Sequence, residues 1–342
     1  METPEDSHAA PSSPPSGLTQ PSAHDLFAKY VFKDPPRAAE AIAAAIGPSD
    51  ARLIDWGSLT LLPAELVDQA VGHFFPDLRF SARLRDEEIR IDVIFEHQST
   101  VDSLMPVRFF CETAAIWAEA RRQKQGEVPF VLNVVLFNGL TPWAAPRDLW
   151  TAIKGGAWLR AQAPHLVPSI PFALLDLAAL TDDLVLAQAP SPAVRLALLL
   201  LKHARRGESV QTMESRPQLL VAAPLDVLGE AVRYVLQVDP QATGPVVADA
   251  VGRIVGPEAR EMAMTWGEQM IEQGRREGEA KGKAEGKAED ILRVLTRRGL
   301  TLSEEQRRSI MACRDISQLE KWMDAALDAN SVEQVMSLVT KH

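Results

Sequence analysis

The segment from Asp77 to Arg108, DLRFSARLRDEEIRIDVIFEHQSTVDSLMPVR, constrains this chain more than any other. It reads as two strands of a hairpin, with Arg85-Asp86-Glu87 at the turn, followed at once by an amphipathic helix. Asp77 opens the first strand, and Glu96 lies near the end of the second, two residues before Gln98. Alternate residues of a strand point to the same face. Glu96 and Gln98 therefore project together, while Phe95 and His97 point away. A carboxylate from each of two neighbouring strands, with a polar side chain beside one, is what a hard divalent cation and an activated water require. Asp92 shares the face of Glu96 but lies ~13 Å back along the strand, too far for the same metal. It is expected at the surface.

The elements around this segment extend the pattern. His24 to Lys33 and Pro36 to Ile46 read as helices broken at Asp34-Pro35-Pro36. Ser22 with Asp25 three residues on forms a capping box. Leu104 to Gln123 is a helix, with Leu104, Val107, Phe110, Cys111, Ala114, Ala115 and Ala118 at three- and four-residue spacing and Asp102 as its N-cap. FVLNVVLF, from Phe130, fits a strand buried on both faces, and Asn138-Gly139 ends it. Phe172 to Leu177 adds a further strand, and Trp56, Trp117, Trp143 and Trp150 read as core or turn anchors. The order predicts an α/β fold, a mixed sheet flanked by helices, followed by a mostly helical C-terminal region.

Beyond Trp150 helices dominate: Ser191 to Arg206, Leu225 to Leu236, and a long one from Pro257 to Arg298. In the last, Gly274, Gly278, Gly282 and Gly286 recur every four residues within a highly charged stretch. A solvated helix of mixed charge accounts for this; a hinge or a close helix pair is the sharper alternative. Ser303 to Gln306 is a capping box at the head of a small helical bundle. The expected organisation is a disordered leader over 1–22, an α/β core over 23–180 and a helical region over 181–265. A charged glycine-repeat helix over 266–299 and a helical module over 300–342 complete it.

Cys111 and Cys313 stand far apart without CxxC or histidine partners, which argues against a disulfide framework or a zinc site and suits a reducing cytoplasm. No apolar run approaches a membrane span, and the leader lacks the basic and apolar regions of a secretory signal. A net charge of −10 sits awkwardly with a nucleic-acid partner. Arg79, Arg83, Arg85, Arg90, Arg108, Arg121, Arg122 and Lys124 nonetheless cluster along the key segment, so the local field favours DNA.

Four spaced motifs also carry a resemblance. FEHQSTVDSLMPVRF is similar to the signature E-H-Q-S-x-x-D-x-x-M-x-x-R of the Rpn recombination-promoting nucleases, also called YhgA-like transposases. HDLFAKYVF resembles the family's opening H-D-x-x-F-K, with Phe27 and Lys29 no longer adjacent. PDLRF resembles its D-L-x-[FYW] strand, and VPFVLNVVLFNGLTPW its P-x-V-L-P-I-V-L-Y-N-G strand and turn. The family falls in the PD-(D/E)xK nuclease superfamily, with glutamine in place of the usual lysine.

The resemblance implies a metal-dependent DNA endonuclease, promoting recombination or serving a mobile element or phage defence. Asp77 and Glu96 would bind Mg²⁺ (or Mn²⁺), and Gln98 would position water. Arg108 is expected either on phosphate or in a salt bridge that holds the site together. Asp25 is a candidate third carboxylate, which helix capping explains equally well, and His97 is structural. DNA is the implied partner, no membrane is involved, and the C-terminal helices are candidates for homo-oligomerisation. The rival reading is a relict DNA-binding, regulatory or assembly protein, favoured by the absent lysine and the acidic balance.

Overall fold

The computed structural model describes residues 22–68, 72–85, 87 and 89–337. The chain divides into two compact units between Ala263 and Met264. The first is α/β, with strands β1 (Ile54–Leu62), β2 (Leu66–Asp68), β3 (Gly72–Phe74), β4 (Leu78–Leu84), β5 (Arg90–Gln98), β6 (Phe130–Phe137) and β7 (Ala173–Asp176). Strands β2 and β3 form a small ribbon; the rest form one mixed sheet in the order β1-β4-β5-β6-β7. β1, β4 and β5 are antiparallel neighbours, whereas β5, β6 and β7 run parallel.

Helix α1 (Ala23–Phe32) starts at the predicted Ser22–Asp25 capping box. Helix α2 (Pro35–Ile46) starts with proline at its first position and Asp34 as N-cap, where fixed φ and a side-chain acceptor both favour helix initiation. The β4–β5 hairpin pairs Leu78 with Phe95 and Arg83 with Arg90; Asp86 and Glu88 of its turn lie outside the described residues. Parallel β5 and β6 need a crossover, and helix α3 (Met105–Arg122) supplies it. β5 is central, so both its faces are covered. Ile94 packs with Phe109 and Ile116 of α3 on one side. Phe95 meets Phe32 of α1, ring centroids 5.4 Å apart, on the other.

That centrality corrects the expectation for Asp92. It is 2% exposed, because α3 covers the face it shares with Glu96, and Arg79 donates to its Oδ2 at 2.6 and 3.1 Å. Of the apolar face predicted for α3, only Ala115 is buried. Leu104, Val107 and Phe110 are exposed; Met105, Phe109 and Ile116 are buried. The polar pair Arg108 and Glu112 lies on the buried side, where Arg108 reaches Glu96 of β5 and Glu112 pairs with Arg108. β1 was not anticipated either: its register shifts between Asp55 and Thr60, and such a bulge removes the alternation by which a strand is read.

Helix α4 (Pro192–His203) buries every residue from Leu196 to Leu201. Helix α5 (Leu225–Val238) stacks Tyr234 on Phe27, centroids 4.4 Å apart and planes 7° from parallel. Both belong to the first unit. Among the described residues no helix is long and apolar enough to cross a membrane.

Helix α6 (Pro257–Arg297) contains the division between the units. In the second unit its Ala284, Ala288, Ile291 and Leu295 form a core with Ile310 of α7 (Glu304–Ala312) and Leu319 and Trp322 of α8 (Ile316–Asp328). Among the described residues, a Cβ added at Gly274, Gly278, Gly282 or Gly286 would meet nothing within 4 Å. The glycines thus serve no close approach here, and the stretch is a solvated helix whose Glu272, Arg275 and Glu279 pair along one face.

Candidate active site

The register that sets Leu78 opposite Phe95 brings Asp77 beside Glu96 one step further on. The Asp77 backbone N–H donates to Glu96 Oε1 at 3.0 Å, and the His97 N–H donates to Asp77 Oδ2 at 2.9 Å. Asp77 Oδ1 pairs with Lys29 Nζ at 2.8 Å, reached from the last turn of α1. Gln98 Nε2 lies 3.5 Å from Glu96 Oε2, as the shared strand face required. Arg108, in the first turn of α3, places Nη2 2.8 Å from the same oxygen and Nε 3.2 Å from Glu112 Oε1. The N-cap of α3 is Leu104, not Asp102; Asp102 Oδ1 instead accepts from the Leu104 N–H, an Asx turn leading into the helix.

Four of the five expected residues, Asp77, Glu96, Gln98 and Arg108, therefore converge. Asp25 does not join them. Its Oδ1 faces His97 Nδ1 at 2.8 Å and its Oδ2 accepts from Ser22, on the face of β5 opposite Glu96. His97 is held at its other ring nitrogen by Asn138 Oδ1 at 3.1 Å, and the Asn138 amide donates to the Leu201 carbonyl. His24 Nδ1 lies 2.7 Å from the Tyr234 hydroxyl. This buried network ties α1, β5, the turn after β6, α4 and α5 to the strand position between Glu96 and Gln98.

The electrostatics separate the two faces. Glu96 is fully buried, and burial pushes its carboxyl well above the ordinary range; neighbouring Asp77 and Glu112 add to this and Arg108 opposes it. Burial pushes Glu112 up to about 7 against the pull of Arg108. Across the strand, burial also works against ionised Asp25, yet hydrogen bonds from His97 and Ser22 hold it well below the carboxylate range. Burial and the nearby His97 and Arg205 lower His24 to about 4.

Among the described residues no three His, Cys, Asp or Glu side chains already converge as a ligand set. The donor chemistry nevertheless fits a hard divalent cation. Asp77 and Glu96 present carboxylate oxygens from adjacent strand positions. Their mutual repulsion, which disfavours ionised Glu96, is the field such an ion reverses.

The family described as "Putative transposase, YhgA-like" matches residues 22–226, from the N-cap of α1 through the sheet and into α5. The chain belongs to this YhgA-like family. Among its relatives, recombination-promoting nuclease RpnD of Escherichia coli O157:H7 is 24% identical over 267 residues, covering 75% of this chain and 96% of RpnD. Recombination-promoting nuclease RpnA of Escherichia coli strain K12 is 24% identical over 263 residues, covering 74% of this chain and 85% of RpnA. No solved structure matches.

In this YhgA-like chain the site includes residues that sequence reasoning passed over. Glu112 is 1% exposed at helical spacing from Met105, Phe109 and Ile116. A glutamate inside an apolar stripe, four residues after an arginine, was the available signal. Asn138 was read only as a turn residue, and Lys29 only as part of a motif. Nothing local marked Tyr234, which reaches His24 from 210 positions away.

Proposed function

We propose that this protein is a divalent-metal-dependent DNA endonuclease, with Asp77 and Glu96 holding Mg²⁺ or Mn²⁺. The observation that carries the reading is the pairing of these two acids at the end of a central hairpin, with Arg108 on Glu96 at 2.8 Å. Family membership and the relatives' names, recombination-promoting nuclease, point the same way. The cation supplies a bound water of lowered pKa and positive charge for the phosphate.

The remaining work falls to the chain. Gln98 offers a hydrogen bond to water or phosphate but no charge. Lys29, 2.8 Å from Asp77, and Arg108 supply the positive charge that the glutamine position lacks. The Asp25–His97–Asn138 network fixes the strand backbone whose N–H orients Asp77. DNA is the substrate, recombination or mobile-element and phage-defence work the setting, and the cytoplasm the location. Self-association through the C-terminal helices belongs to the same reading; Ile271 and Leu327 are exposed there. Light scattering tests it, with a mass above 37.5 kDa expected.

The test is supercoiled plasmid incubated with the protein and Mg²⁺ or Mn²⁺, beside an EDTA control. Nicking or linearisation that needs metal and is lost in Asp77→Ala and Glu96→Ala is expected. A second reading, a relict DNA-binding protein, is favoured by one observation: Arg108 beside the site is already paired with Glu96, and Arg79 of the same hairpin with Asp92. DNA binding indifferent to Mg²⁺, without cleavage by folded protein, would establish that reading instead.

A further inference from the structure

Glu112 is the carboxylate of the site that no sequence motif explains. Its Oε1 accepts from Arg108 Nε at 3.2 Å, while its Oε2 is buried with no hydrogen-bond partner among the described residues. A buried carboxylate oxygen without a donor is costly to keep, so its retention asks for a state in which it is satisfied. Arg108 is the neighbour able to satisfy it. At present the guanidinium is divided, Nε serving Glu112 and Nη2 serving Glu96 Oε2 at 2.8 Å. A guanidinium edge matches a single carboxylate through two parallel N–H···O bonds, and Glu112 offers both oxygens.

We propose that Glu112 is a positioning residue that draws Arg108 off Glu96 when a divalent cation binds. Without the cation, Arg108 neutralises Glu96; with it, the guanidinium edge closes on both oxygens of Glu112. Glu96 exchanges one positive partner for another, any proton held on either carboxyl leaves to water, and the orphaned oxygen gains its donor. Arg108 stays beside the site instead of being released to solvent. Because Arg108 competes for Glu96, it lowers the apparent metal affinity by the fraction of protein in which Glu96 is occupied. This inference rests on the metal-site reading above.

Titration of the full chain with Mn²⁺, followed by calorimetry, tests it. Glu112→Gln keeps the shape but removes the second acceptor, so Arg108 stays on Glu96 and Mn²⁺ binding weakens about tenfold, the scale of a supporting-residue loss. Arg108→Met frees Glu96 and tightens binding. The double variant binds Mn²⁺ like Arg108→Met alone, because Glu112 acts only through Arg108. Arg108→Lys keeps the charge without the fork and weakens binding as Glu112→Gln does. It serves if thermal melting shows that Arg108→Met does not fold.

A Glu112→Gln loss that persists in the Arg108→Met background would make Glu112 a direct ligand and overturn the proposal. An unaltered affinity in Glu112→Gln, or weaker binding in Arg108→Met, overturns it as well. Failure of the underlying reading looks different: the wild type then shows no Mn²⁺ site that Asp77→Ala abolishes.

Discussion

Arg79 and Asp92 are joined by hydrogen bonds of 2.6 and 3.1 Å in the layer between β5 and α3, and Glu119 approaches the same guanidinium at 3.1 Å. Removing Arg79 leaves the buried Asp92, among the described residues, with only the longer contact to Arg90, at 3.7 Å. Arg79→Met is therefore expected to destabilise the protein by about 3–5 kcal/mol, whereas replacing Arg79 and Asp92 together with apolar residues costs far less. Urea unfolding of the single and double variants measures both. Glu112 makes a different prediction, through pH. Its folded-state pKa, about 7, is raised above the ordinary value of 4.5. Stability from the protonated form is full below the unfolded-state pKa and is lost as pH rises through 7. In EDTA, Glu112→Gln should melt above the wild type at pH 8, and the gap should close as pH falls to 5. A gap independent of pH would mean that Glu112 is not held protonated by its surroundings.

At the scale of elements, what was legible in the sequence follows from short-range physics. The β4–β5 hairpin, α3 and β6 could be read because alternation, turn chemistry and an apolar run each act within a few residues. Glu96 and Gln98 came with them, since strand periodicity settles which residues of one strand share a face, whereas Asp77 was marked by the spaced motifs. The buried face of α3 did not. Leu104, Val107 and Phe110 form as good a stripe as Met105, Phe109 and Ile116, and what decides between them is distant in sequence: the sheet that buries Phe109 and Ile116, and Glu96 of β5, which pairs with Arg108. Asp92 was misplaced for the same reason: whether a strand is central depends on α3 and β6 crossing over it. β1 was hidden by its bulge. The glycine repeat of α6 yields a further prediction. Among the described residues no neighbour fills the space beside Gly278 or Gly282, so Gly278→Ala and Gly282→Ala should each stabilise the helix by about 1 kcal/mol. Thermal melting checks this; a lower melting temperature would mean that the glycines serve a contact outside this chain.

For the whole molecule, a net charge of −10 limits how a polyanion is held. Arg79 and Arg108 are engaged with buried carboxylates, which leaves counterion release from DNA chiefly to the exposed Arg85, Arg121 and Lys124. Raising salt from 50 to 200 mM should weaken DNA binding by less than about 100-fold, against the roughly 10³–10⁵-fold of a protein that contacts 6–10 phosphates. A fluorescence-anisotropy salt series decides, and a steep slope would reveal a basic surface elsewhere, in either unit. The central claim is that Asp77 and Glu96 together hold the metal on which cleavage depends. The most direct measurement is a crystal of the full chain grown with Mn²⁺, its anomalous scattering located. The account predicts a peak bound by Asp77 and Glu96, with Arg108 withdrawn from Glu96. A peak at other residues, or none at a saturating concentration with the Arg108–Glu96 pair intact, would contradict it.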